Sequence, residues 1–200
     1  MRQPIRQARE TLEAVVRRQA RRMRGSWQMF FLPGALIYGL TLLNLFYLQP
    51  EPRESLSPYL RNLDLFTFFI AIAMAVAIFN MKRTYFSRRF IRKTMDEALR
   101  RNEGMADEEL LERIFGVIRA RMTRVWALGL GLILLGVAFH WATFAAAQNL
   151  HTYFVIGAFS LIINYPRAEL FSDMPWYLLQ ERQARGEASA PEDDQSSTST

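Results

Sequence analysis

The sequence predicts an all-α integral membrane protein with four transmembrane helices arranged as two hairpins, and a cytoplasmic antiparallel helical hairpin between spans 2 and 3. Three observations predict this fold class. Half of the 200 residues are hydrophobic, and they cluster in long apolar runs. The runs come in two pairs, separated by a polar stretch with helical period. Lysine and arginine flank the runs, as they do on the cytoplasmic side of membrane helices.

Residues 1–26 are polar and rich in arginine, with few acidic residues. Apolar side chains recur with a loose helical period at Ile5, Ala8, Leu12, Val15, Val16 and Met23. This pattern predicts a basic amphipathic helix lying on the cytoplasmic face of the membrane.

The sequence of residues 27–81 predicts the first transmembrane hairpin. Its spans are residues 27–48, which carry no charge, and residues 63–81. Both are close to the roughly 20 residues that cross the hydrocarbon layer. The segment between them contains three prolines and both charge signs, which is typical of a short outer loop.

Residues 82–124 predict the cytoplasmic helical hairpin. Asn102-Glu103-Gly104 is a helix stop between two helical apolar stripes, and Asp107 is placed to cap the second helix. The stripes either pack only on each other, or one of them binds a partner or the membrane surface. Charge runs basic, acidic, basic, so the acidic zone points away from the membrane. We take the acidic zone as the candidate partner-docking site, formed by Glu103, Asp107, Glu108, Glu109 and Glu112.

Residues 125–166 predict the second transmembrane hairpin, with spans at residues 125–147 and 151–166. Small residues recur on one face of the third span, and such faces allow close helix packing in membranes. We therefore expect this face at the centre of the bundle or at an oligomer interface. The small-residue face consists of Ala127, Gly131, Ala138, Ala142 and Ala146.

Residues 167–183 predict an amphipathic interfacial segment whose apolar side chains face lipid or the cytoplasmic hairpin. Residues 184–200 are rich in alanine, serine, threonine and acidic residues, a composition that predicts a disordered tail.

Lysine and arginine are abundant in residues 1–26 and 82–124 but sparse in the two predicted outer loops. This bias places both termini in the cytoplasm of a bacterial inner membrane. The net charge of +6 is explained by this topology, so we expect no nucleic-acid partner. The expected partners are the bilayer with its anionic headgroups, and other membrane subunits or a second copy of the chain.

The sequence contains no constellation that predicts catalysis or metal binding. There is no cysteine, which excludes disulfides and thiolate chemistry. His140 and His151 are the only histidines and are weak candidates for axial haem ligands. If the third span ends near Ala147, His140 lies about 10 Å deeper than His151, a mismatch that argues against a shared haem. We expect no enzyme activity and no cofactor.

These features favour a non-enzymatic polytopic membrane protein that serves as an accessory, scaffold or assembly subunit and docks partners through its cytoplasmic hairpin. One alternative is a homo-oligomeric channel or transporter sealed by the small-residue face. The other alternative is a haem- or quinone-binding membrane subunit.

Overall fold

A computed structural model describes residues 2–48, 58–102, 104–144 and 147–188. The described residues form α1 (Arg2–Leu48), α2 (Leu60–Tyr85), α3 (Arg88–Arg101), α4 (Asp107–Thr143), α5 (Ala147–Ile163), a 3-10 turn (Ala168–Leu170) and α6 (Met174–Ala188). No strand occurs in these ranges. The predicted all-α class is therefore confirmed, together with the presence of several apolar helices.

Three helices, α1, α2 and α4, are long and apolar enough to cross a membrane. A fourth span arises only if α5 and α6, which are bent by 50° at the break between them, count as one. By itself α5 is about 25 Å long, slightly less than the hydrocarbon thickness. It nevertheless lies along the apolar part of α4.

Two helices continue without interruption across the expected boundaries between polar and apolar segments. α1 runs through residues 26 and 27, and α4 runs through residues 124 and 125. They are about 70 Å and 55 Å long. By contrast, the chain breaks after α2, because Phe86 leaves the helix and Ser87 caps α3 by accepting a hydrogen bond from the Phe90 amide at 3.2 Å.

One end of the molecule is a polar bundle, formed by α3, α6 and the parts of α1 and α4 that precede Trp27 and Val125. Its core is continuous across all four helices, and burying each large apolar side chain contributes about 1.5–3 kcal/mol. The apolar stripe in the first part of α1 thus packs within the bundle against α4, whereas the sequence analysis had assigned this helix to the membrane face. The core side chains include Leu12, Val15, Met23, Ile91, Met95, Leu99, Leu111, Phe115, Ile118, Met122, Phe171, Met174 and Leu178.

The other end is an apolar bundle, formed by α2, α5 and the remaining parts of α1 and α4. α4 is its central helix, because 50% of its apolar stretch is buried, compared with 11% of that of α1 and 17% of that of α2. α1 and α4 run parallel through both bundles. Contacts recur in order along them, from the Arg18–Glu112 ion pair to the Trp141 indole, which donates to the Thr41 hydroxyl at 3.2 Å.

α5 runs antiparallel to α4 at glycine contacts. A side chain at Gly157 would meet the Gly129 carbonyl oxygen at 2.7 Å, and one at Gly136 would meet Tyr153 at 2.8 Å. α4 ends at Thr143, because Phe144 adopts a left-handed conformation with φ of 48°. α5 begins at Ala147, so residues 148–150, which the sequence left as the short link between the third and fourth spans, are helical.

Two tryptophans satisfy carbonyl groups at the end of α5, one in its last turn and one on the residue that follows it. The Trp27 indole donates to the Leu161 carbonyl at 2.8 Å, and the Trp126 indole donates to the Asn164 carbonyl at 2.9 Å. Helix ends leave such carbonyls without intrahelical donors, and in an apolar setting each unmet group is costly. α5 therefore ends in a cap supplied by α1 and α4.

Candidate functional site

The structure divides the acidic zone into paired and unpaired residues. Glu112 accepts hydrogen bonds from Arg18 and Gln19, both at 3.1 Å, and Asp107 forms a 3.0 Å ion pair with Arg182. These carboxylates fasten α1 and α6 to α4. Both pairs are partly exposed, so each contributes at most about 1 kcal/mol.

Glu108 and Glu109 differ from these two, because they are exposed and form no ion pair with any described residue. They lie in the first turn of α4, where acidic side chains are favoured by the helix dipole. The N-cap of α4 is Ala106 and not Asp107, so the predicted cap is wrong by one residue. Glu103 lies outside the described residues.

A groove of about 260 Å³ separates α3 from α6 on the side of the polar bundle. Ile91, Met95 and Met174 form its buried floor. Trp176 stands at its rim with 53% of its surface exposed. Exposed tryptophan beside an apolar pocket is typical of protein-binding surfaces.

Polar contacts hold the wall of this groove in place. The Tyr177 hydroxyl donates to Asp96 at 2.7 Å, and the Arg92 guanidinium lies 5.7 Å from the Tyr177 ring centroid. The hydrogen bond to Asp96, together with burial, raises the pKa of Tyr177 to about 12. The hydrogen bond therefore persists into alkaline solution, where an ordinary tyrosine would begin to lose its proton.

The small-residue face of α4 is directed away from the other helices over most of its length. Ala127, Ala138 and Ala142 are exposed, and Gly131 is half-buried against Met74 of α2. Ala146 lies outside the described residues. Within the chain, the close contacts of α4 with α5 are made instead by Gly129 and Gly136.

The two histidines lie nearer in depth than the sequence indicated. Because α4 ends at Thr143, His140 is in its last turn, and His151 is in the second turn of the antiparallel α5. His151 shares a 2.7 Å hydrogen bond with the Tyr38 hydroxyl, whereas His140 is buried and has no hydrogen-bond partner among the described residues.

No group of three potential metal ligands is present in the described ranges.

The groove between α3 and α6 was not found from the sequence, because its lining comes from segments far apart in the chain. The sequence signal was the Trp176-Tyr177 pair in the apolar first half of α6. No known protein family matches the chain, and no curated protein or solved structure is significantly similar to it.

Proposed function

We propose that the protein is a non-enzymatic polytopic membrane protein, an accessory, scaffold or assembly subunit that docks a partner on its polar bundle. Its apolar bundle spans a bacterial inner membrane and its polar bundle projects into the cytoplasm. The excess of arginine in residues 1–26 and 82–124 supports this orientation.

The parallel pairing of α1 and α4 is the observation that carries this proposal. Both helices extend unbroken from the polar bundle into the apolar bundle. Side chains of α1 contact side chains of α4 along this whole path. A partner bound to the polar bundle is thereby held at a defined position relative to the membrane spans. This arrangement suits a scaffold, which positions other proteins and requires no chemistry of its own.

The partner-docking surface is the exposed acidic tip, formed by Glu108 and Glu109. Their carboxylates are available to a basic segment of a partner, unlike those of Asp107 and Glu112. Exposed charges of this kind set partner choice and association rate more than total affinity.

We expect the E108S/E109S variant to capture its partner about tenfold less well than the wild-type protein, since two intermolecular charge pairs are lost. The measurement is gentle detergent extraction from the native host, followed by quantitative mass spectrometry of co-purifying proteins. The matched control is D107S/E112S, which removes the same charge but breaks contacts within the chain. Equal capture by wild type and E108S/E109S would contradict docking at the tip.

A second candidate function is a homo-oligomeric channel or transporter, and the exposed alanines of α4 favour it. We expect A138L to break such an oligomer, because the larger side chain prevents close helix approach. The measurement is particle mass in detergent. A73L is the matched control, since Ala73 is an exposed alanine on α2. An unchanged mass for A138L rules out an oligomer formed through this face. Gly131 is a less suitable position for the substitution, because a side chain there meets Met74 within the chain.

A further inference from the structure

The break between α2 and α3 creates a strongly cationic cavity at the boundary between the polar and apolar bundles. The cavity has a volume of about 530 Å³ and is lined by residues of α2, the break, α3 and α4. Its four cationic side chains are Arg83, Arg89, Lys93 and Arg121.

Most of this positive charge is not neutralised within the chain. Lys93 lies 3.9 Å from Glu97, the one carboxylate in the cavity lining. Arg83, Arg89 and Arg121 form no ion pair with any described residue, although the Arg121 guanidinium lies over the Tyr85 ring at 5.5 Å. Three guanidinium groups around one cavity form a strong site for an anion that can accept several hydrogen bonds, such as a phosphate.

The first turn of α3 adds to the positive electrostatic potential of the cavity. The amides of Phe90 and Ile91 bond to Ser87, but those of Arg88 and Arg89 have no acceptor outside their own helix in the described part of the chain. α3 runs away from the apolar bundle, so its positive N-terminal end faces the boundary. Free amides and the helix dipole at such an end favour a phosphate.

The position of the cavity identifies the source of the phosphate. Arg83 is in the last turn of α2, two residues after the end of its apolar run, and Arg121 is one turn before the apolar part of α4. Above the cavity, α2 exposes Val76 and Phe79. A ligand bound here meets cations at its headgroup and apolar side chains one or two turns further along the helix, which matches a phospholipid at the membrane surface.

We propose that this cavity binds the phosphate headgroup of one anionic phospholipid. The guanidinium groups of Arg83, Arg89 and Arg121 hold the phosphate, and the acyl chains lie along the apolar surface of α2. The proposal rests on the membrane insertion proposed above but is independent of partner docking.

Native mass spectrometry of the full-length purified protein tests the proposal. The protein in mild detergent is incubated with equal amounts of phosphatidylglycerol and phosphatidylcholine, and the lipids that remain bound are counted. We expect the wild-type protein to retain phosphatidylglycerol preferentially. R83Q/R89Q lowers this preference about thirtyfold, and R121Q, on a different helix, lowers it about fivefold.

K82Q/R88Q is the control for formal charge, because it removes two cationic side chains one residue away that line a different cavity, one of which, Arg88, is already paired with Asp173 at 3.4 Å. It should retain the wild-type preference. An equal loss in K82Q/R88Q and R83Q/R89Q would overturn the proposal in favour of general attraction to the membrane. No preference for phosphatidylglycerol in the wild type would also overturn it.

Excess inorganic phosphate distinguishes a lipid site from a site for free phosphate. The lipid should remain bound, because phosphate alone makes no contact with the apolar surface of α2. Displacement of the lipid, with the same dependence on Arg83 and Arg89, would overturn the lipid assignment. The lipid-binding assay does not involve partner capture, so its result is independent of the result of the docking experiment. Liposome flotation reports membrane insertion separately.

Discussion

We expect W126A to lose about 3–5 kcal/mol of stability, the largest effect of any single substitution considered for this protein. Trp126 is fully buried, and its ring lies 6.2 Å from that of Phe30 on α1. Its indole also donates to the Asn164 carbonyl at the end of α5. Truncation therefore leaves a large cavity at the junction of the two bundles and an unmet carbonyl in an apolar setting.

Thermal unfolding in detergent, followed by circular dichroism, measures this loss without depending on tryptophan fluorescence. W126F separates the two causes, because it retains most of the ring volume and removes only the hydrogen bond, at a cost of about 1–3 kcal/mol. W176A is the matched control, since Trp176 is half-exposed and its truncation costs about 0.5 kcal/mol. Equal unfolding temperatures for W126A and W176A would contradict the buried position of Trp126.

G157A should destabilise the protein by about 2 kcal/mol or more, because it forces α4 and α5 apart. The added methyl group would lie 2.7 Å from both the Gly129 carbonyl oxygen and Cγ1 of Ile133, and 3.1 Å from the Ile133 amide nitrogen. Two of these three atoms belong to the backbone of α4, so a side-chain rotation cannot relieve the contact.

G39A is the control for this prediction. Gly39 lies in the apolar part of α1, and a methyl group there meets no other atom within 4 Å. Alanine favours a helix over glycine by up to about 1 kcal/mol, so G39A should unfold at the same temperature as the wild type or slightly higher. If G157A behaves like G39A in thermal unfolding, then α4 and α5 do not touch at Gly157.

The sequence by itself determined most of the helical segments and their apolar faces, although residues 184–188, which it assigned to a disordered tail, are helical in α6. The stripe Leu110, Ile114, Ile118 and Met122 is buried as its period indicates, and the helix stop at residues 102–104 separates α3 from α4. Two of the predicted spans, residues 27–48 and 63–81, lie within helices long enough to cross a membrane, and the third, residues 125–147, lies within such a helix as far as Thr143. These features depend on local hydrophobic period and turn chemistry, which are readable without knowledge of the fold.

Only the tertiary structure decided which apolar faces meet. The stripe of α1 was assigned to a membrane surface, yet Leu12, Val15 and Met23 are covered by the polar bundle. In α4, two interleaved sets of small residues had similar spacing, and the contact with α5 uses Gly129 and Gly136. The attraction between apolar surfaces has no direction, so period identifies a face that must be covered but not what covers it. The lining of the cationic cavity was hidden for a related reason, because Arg121 joins Arg83 and Arg89 only when α4 packs beside the break between α2 and α3.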